Sequence, residues 1–313
     1  MFALVGVGCD CKKASVPSVP GELTKIRLQT DWYPQPEHGG FYQALACGYY
    51  KEVGLEVEIL TGGPGAGTIE KVVTGRVDFS MHRADAVLTK VAEGLPLEIV
   101  MATLQHDPQG IMLHAENPIN SLAELDGKTI MAVPGMSWIA YLEKRYGIHI
   151  HITPSDYGLE RFMADKQFIQ QCMVTNEPYY ARLHGQEVKV LPLRESGFDP
   201  YHVVYGRRDF IQKHRDMVKR FRAASIRGWT AFLKNPEPAL ALIKERNPGM
   251  EDAFMHAVYA TLVAEKLVDG DPAQGESVGD VKPARIQAVS DAMSALQLLA
   301  RPVKAAEVYA EGQ

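Results

Sequence analysis

Two rhythms of apolar positions alternate along the chain. Ile26–Asp31 switches between apolar and polar residues and predicts a strand, and Leu55–Leu60 (LEVEIL) does the same. Between them, the helical period over Gly39–Val53 predicts a helix that stops at Gly54. Thr61–Gly67 (TGGPGAG) is a glycine-rich loop leading into a predicted helix over Thr68–Thr74. Val77–Met81 then predicts a strand, Ala84–Glu93 a helix and Leu97–Leu104 a long apolar strand. This order implies a mostly parallel sheet covered on both faces.

A second alternation starts near residue 111. Ile111–His114, Thr129–Val133, His149–Thr153, Phe168–Val174 and Val188–Leu193 read as strands. Helices are predicted in SLAELDG after the capping Ser121, over Ser137–Tyr146, over Tyr157–Ala164 and over Glu177–His184. After Tyr201–Tyr205 the period is helical over 209–236, 237–246, 250–268 and 282–299, so the C-terminal third is expected to be helical cover. The element order implies two α/β lobes, although no tandem sequence repeat is visible. The chain would enter lobe two near Gln105 and return near Tyr201. Residues 24–105 plus 205–313 are expected to form lobe one, and 106–204 lobe two.

Composition fits this picture. The 313 residues are 46% hydrophobic and 23% charged, enough for two domains and a sizeable core. With 33 basic and 38 acidic residues the net charge is −5, and no basic run exceeds two residues, so no nucleic-acid partner is expected. No apolar stretch reaches the roughly 18 residues that span a bilayer. The first residues differ from the rest. Met1–Gly8 is small and apolar, and Cys9, Asp10, Cys11 and two lysines follow. Gly6–Cys9 resembles a bacterial lipobox, which makes Cys9 the expected lipidated residue. Residues 1–23 are then a leader and tether, Ala14–Glu22 being its flexible Pro/Ser part. The alternative is a ragged terminus with two incidental cysteines. Cys47 and Cys172 show no metal-ligand spacing and read as buried free thiols, with their pairing left open.

The chemistry points to binding more than to bond breaking. Gly62–Gly67 lacks the Lys-Ser/Thr of a phosphate loop, so its amides face an anion or polar edge, or it is a plain turn. No GxSxG or HExxH occurs. His149 and His151 alternate on a strand, where a surface position is a better reading than a metal site. No cofactor or metal is expected. Asp31–His38 (DWYPQPEH) follows the first strand, where open α/β sheets bind ligands. Trp32, Tyr33 and His38 on this proline-stiffened loop form a candidate aromatic clamp, with Trp32 packing on the core as the alternative.

Asp31-Trp32, Pro34 and His38, followed by Gly48-Tyr-Tyr-Lys51 and Gly54-Leu-Glu-Val57, carry a resemblance. They are similar to the opening of periplasmic solute-binding proteins of ABC transporters, in the branch related to fungal thiamine-pyrimidine synthase. The resemblance continues through GRVDFSMHRADAVL, SLAELDGKTIMAVPG and RRDFIQKHRDMVKRF, over roughly residues 24–245. It implies an α/β, type II-like periplasmic-binding-protein clamshell with a small-molecule ligand between its lobes. It also implies a monomer in the periplasm or cell envelope that serves membrane permease and ATPase subunits, lipid-anchored if Cys9 is modified. The expected ligand is an aromatic nitrogen heterocycle such as a thiamine pyrimidine precursor; riboflavin, a sulfonate or nitrate are alternatives. Trp32 with one of Tyr42, Tyr179, Tyr180 or Tyr205 would stack on it. Asn176 and Glu177, His82, and the Gly135–Ser137 helix start would meet its polar edges. Glu177 also reads as an acid favoured at a helix N-terminus. The fungal relative is an enzyme whose lysine and cysteine-rich segment fall at His82 and Ser196–His202 here. Neither group is present, so the chain is expected not to be an enzyme. A ligand-sensing module is the third reading, and it would usually need an output domain.

Overall fold

The computed structural model describes residues 22–310. The expected leader, its tether and the lipidated Cys9 lie outside the described residues. Among the described residues ten strands form two sheets. The first lobe opens with β1 (Thr24–Gln29), α1 (Gly39–Ala46), α2 (Tyr49–Glu52), β2 (Leu55–Leu60) and α3 (Thr68–Val73). It continues with β3 (Phe79–Arg83), α4 (Ala84–Ala92) and β4 (Leu97–Leu104). The second lobe holds β5 (Gln109–His114), β6 (Thr129–Ala132), α5 (Ser137–Tyr146), β7 (His151–Pro154) and α6 (Glu160–Ala164). It ends with β8 (Gln170–Met173), α7 (Glu177–Leu183) and β9 (Val188–Pro192). β10 (His202–Arg207) returns to the first sheet. The helices α8 (Arg208–Lys213), α9 (Arg215–Lys234), α10 (Glu237–Arg246), α11 (Asp252–Ala264), α12 (Pro283–Ala295) and α13 (Ala305–Val308) follow.

The sheet orders are β2-β1-β3-β10-β4 and β7-β6-β8-β5-β9. Each has the same plan, with four parallel strands and one antiparallel strand inserted next to the last. β10 is antiparallel to β3 and β4, and β5 to β8 and β9. The expected mostly parallel sheet is thus a mixed one. The physical reason is the crossing of the chain: each inserted strand belongs to the segment that has just left the other sheet. β10 starts at His202, so residues 202–204, expected in lobe two, pair in the first sheet.

Other expectations change locally. The single helix over Gly39–Val53 is two helices, broken where Gly48 takes the left-handed φ of 75°. The segment after Ser121 is a 3-10 turn, Leu122–Leu125. Tyr157, expected at a helix start, lies in a loop with φ 60°, and α6 begins three residues later. Cys172 is a buried free thiol as expected. Cys47 is corrected: it is half-buried and disulfide-bonded, and its partner is not Cys172.

Packing explains why α1 sits where it does. A Cβ on Gly40 would lie 2.1 Å from the Trp229 ring, and one on Gly228 2.2 Å from the Gly40 carbonyl oxygen. The two glycines let α1 and α9 approach closely, with Phe41 and Trp229 edge to face beside them. This fixes the start of α1 behind the β1 loop. On the opposite side, the two crossing segments are tied together by Asp199. Its carboxylate takes the Asp107 N–H at 2.7 Å and contacts His106 Nδ1 and Arg285 Nη2, each at 2.7 Å.

Candidate ligand-binding cavity

A cavity of about 280 Å3 opens between the two lobes, and its walls are strand ends. Asp31 and Trp32 follow β1, His82 and Arg83 end β3, and Thr103 and Leu104 end β4. His202 opens β10. From the second lobe come Gln109 at the start of β5, Val133 and Met136 after β6, and Gln171–Met173 on β8. Asn176 and Glu177 at the start of α7, and Ser155 and Tyr157 after β7, complete it. This is where open α/β sheets place ligands.

The Trp32 loop is held from several sides. Its carbonyl accepts from Thr30 Oγ1 at 2.8 Å and from the Gly62 N–H at 3.1 Å. A Cβ on Gly62 would sit 2.2 Å from the Thr30 carbonyl oxygen, so the close approach requires glycine. The glycine-rich loop therefore braces the Trp32 loop, and its residues are not among those lining the cavity. Asn247 Nδ2 donates to the Pro34 carbonyl at 3.0 Å from the far side. Trp32 is only partly buried and faces Tyr157 across the cleft, ring centroids 5.8 Å apart and tilted by 43°. Trp32 comes from the first lobe and Tyr157 from the second, so the pair bridges the lobes over the cavity.

The cavity is acidic. Burial would raise Asp31, but His38, 2.9 Å away, and the nearby His202 and His82 outweigh it and hold the carboxyl at about 2. Burial raises Glu37, which accepts from Thr175 Oγ1 at 2.6 Å. Burial also pushes Glu177 up to about 7, against the Met173 N–H that it accepts at 2.7 Å, while nearby Glu37 adds to the rise. Burial lowers His82, and it lowers His202 to about 4, so both are neutral at pH 7. Among the described residues Arg83 is the one lysine or arginine lining the cavity, and it is already answered. It holds Asp85 in a fork at 3.0 and 3.1 Å and lies 3.4 Å from Asp107.

Of the residues singled out in the sequence, Trp32, His38, His82, Asn176 and Glu177 line this cavity. His38 is itself deeply buried, and its ring serves Asp31. The others do not line it. Tyr42 and Tyr205 are fully buried in the first lobe, because their positions on α1 and β10 face the sheet–helix core. Tyr179 and Tyr180 pack on Phe254 of α11 at 5.3 and 4.8 Å, bridging the lobes outside the cavity. Gly135 is exposed, while its neighbours Val133 and Met136 line the wall. Ser137 bonds the Asp85 carboxylate across the lobes. His149 and His151 stack edge to face, 4.8 Å apart, with His149 largely exposed. Among the described residues no group of three His, Cys, Asp or Glu is placed to hold a metal. Tyr157, Gln109, Gln171 and His202 were not singled out; a Ser-Asp-Tyr-Gly turn was the one local signal for Tyr157.

Two sheets of this order with a cavity between them define the class, the periplasmic-binding-protein fold. The chain belongs to the family described as NMT1/THI5 like, which matches residues 35–239. It is 27% identical over 241 residues to the riboflavin-binding protein RibY of Chloroflexus aurantiacus, covering 73% of this chain and 68% of RibY. It is 22% identical over 232 residues to the formylaminopyrimidine-binding protein of Halalkalibacterium halodurans, covering 71% and 70%. A shorter match of 140 residues is 30% identical to the 4-amino-5-hydroxymethyl-2-methylpyrimidine phosphate synthase THI11 of Saccharomyces cerevisiae, covering 44% and 40%. Among solved structures, the fold is similar to that of the periplasmic aliphatic sulphonate binding protein SsuA of Escherichia coli. The TM-score is 0.68 over 90% of this chain and 96% of that one, at 15% identity. That identity speaks for the fold alone.

Proposed function

We propose that this protein is the extracytoplasmic substrate-binding component of an ABC importer, and that it binds a small amine-bearing aromatic heterocycle such as a thiamine pyrimidine precursor. The observation that carries the reading is the pair Glu37 and Glu177, one from each lobe, at a cavity roofed by Trp32 and Tyr157. Carboxyl oxygens accept from an amine, and in the ionised form they repel an anion. The Arg83 guanidinium is consumed by Asp85 and Asp107, which speaks against a sulfonate or nitrate. The volume, about 280 Å3, is at the small end of ligand cavities, roughly 300–1,000 Å3, and favours one ring over a flavin. The names of RibY and of the formylaminopyrimidine-binding protein support a heterocycle in general.

Binding works by closure. Residues 24–105 and 202–310 would form one body, and residues 106–201 the other. A ligand touching both lobes favours the closed form by its differential affinity. Membrane permease and ATPase subunits would then take the closed protein. The enzymatic reading has the yeast synthase match behind it, but a Schiff base needs an amine, and among the described residues no lysine lines the cavity.

Titration calorimetry with 4-amino-5-hydroxymethyl-2-methylpyrimidine, its formylamino relative, riboflavin, an alkanesulfonate and nitrate tests the reading. Binding of the pyrimidines and not of the anions is expected. Anion binding without pyrimidine binding would overturn it. Incubation with pyridoxal phosphate and iron, followed by intact-mass analysis, tests the enzyme reading: mass lost at a histidine would favour it.

A further inference from the structure

One wall of the cavity carries a chain of amides whose direction is fixed at both ends. The Val133 N–H can only donate, and it donates to Gln171 Oε1 at 3.0 Å. Gln171 Nε2 is thereby turned toward Gln109 and donates to its Oε1. Gln109 must then direct Nε2 the other way, where both oxygens of Asp107 lie at 3.4 Å. Asp107 is fully buried and also takes the Gln109 N–H at 3.1 Å. Burial pushes its carboxyl up to about 6, against the pull of Arg83, so it is an ionised acceptor at neutral pH. A donor-only group at one end and a carboxylate at the other exclude the flipped amides.

The pairing of β5 with β8 is what makes the chain. Antiparallel register sets Gln109 against Met173 and Ile111 against Gln171, so the two glutamines neighbour each other at the cavity. Gln171 Nε2 retains a second N–H. Another lining residue, Thr103, holds a buried donor, Oγ1, with no hydrogen-bond partner. Gln171 and Thr103 thus offer donors to the cavity, to which Glu37 and Glu177 bring acceptors.

We propose that Gln171 is a specificity-determining contact, positioned by Gln109 and Asp107, which reads a neutral hydrogen-bond acceptor on the ligand: a ring nitrogen or a carbonyl oxygen. This rests on the reading of the cavity as a heterocycle site. It adds that the ligand must carry an acceptor as well as its amine. An anion is disfavoured there, because Asp85 and Asp107 together outweigh the Arg83 charge.

Two measurements test it. The first needs no ligand. In the isotopically labelled protein, scalar couplings across hydrogen bonds should link the Val133 nitrogen to the Gln171 side-chain carbonyl carbon. They should also link the Gln171 side-chain nitrogen to the Gln109 side-chain carbonyl carbon. Missing or reversed couplings would overturn the relay. The second compares 4-amino-5-hydroxymethyl-2-methylpyrimidine with the benzene isostere in which both ring nitrogens are C–H. Wild type should prefer the pyrimidine by about tenfold or more. Gln171→Glu keeps the shape and replaces the donor by an acceptor, and the preference should vanish while the variant still melts cooperatively. A preference that survives in Gln171→Glu overturns the specificity role. If wild type binds neither probe, the pyrimidine reading falls and the couplings alone decide the relay.

Discussion

Thr175 Oγ1 donates to Glu37 Oε1 at 2.6 Å, and the two residues come from different lobes. The bond supplies a donor to a buried carboxyl that burial pushes upward. Thr175→Val keeps the shape and removes the hydroxyl. It should destabilise the fold by about 1–3 kcal/mol, the cost of an unanswered buried acceptor. Thr175→Ser should behave as wild type. Thermal unfolding at pH 7 measures both, and a Val variant that melts with wild type would mean that the bridge contributes nothing.

Glu177 gives a pH dependence with a definite sign. Its folded pKa, about 7, lies above the ordinary 4.5. Its contribution is fully present below pH 4.5, and it is lost as pH rises through about 7. The change is at most about 3 kcal/mol, because solvent reaches the half-buried group. Glu177→Gln should flatten the stability profile between those pH values and raise stability at pH 8. It should also weaken the pyrimidine by about 1.5–3 kcal/mol, the worth of a hydrogen bond to a charged group. Denaturant unfolding from pH 4 to 8, with calorimetry at pH 8, reads both. An unchanged profile would place the raised carboxyl elsewhere.

Much of this site lies at strand ends that a sequence pattern can locate. Trp32, His82 and Glu177 each stand within two or three residues of an apolar run, so their placement was legible. Tyr42 and Tyr205 failed because residue type says nothing of the face. Which side of α1 or β10 meets the core depends on α9 and the neighbouring strands, far off in sequence. Gln109 and Gln171 were silent for a similar reason. They meet through an antiparallel β5–β8 pair, and a mostly parallel sheet was expected. Tyr157 was hidden by a helical period that starts only at Glu160.

Tyr157 holds a left-handed backbone, φ 60°, which a tyrosine adopts only under constraint. Its N–H bonds Ser155 Oγ at 3.1 Å, and its ring is mostly exposed. Tyr157→Gly should relieve the strain and cost little stability, or add up to about 1 kcal/mol. The roof over the cavity is lost with the ring, so ligand should dissociate faster while association changes little. Stopped-flow release separates the two rates. Equal dissociation from variant and wild type would remove Tyr157 from the gate.

Trp32 carries the sharpest expectation. Its loop is fixed by Thr30, Gly62 and Asn247, and Pro34 limits the backbone further. An indole held this way loses little entropy when a flat ring stacks on it. Its ring partners are Tyr33 at 5.6 Å and Tyr157 at 5.8 Å, both exposed residues. Trp32→Leu keeps part of the apolar volume and removes the stacking face. Affinity for the pyrimidine should fall by about 1–3 kcal/mol, taking the scale for bases on aromatic side chains. Stability should fall by less, because the residue is not fully buried. Calorimetric titration and thermal unfolding of the same two proteins give both numbers. Unchanged affinity with a large loss of stability would make Trp32 a packing residue, and the ring would then have to rest on Tyr157 alone.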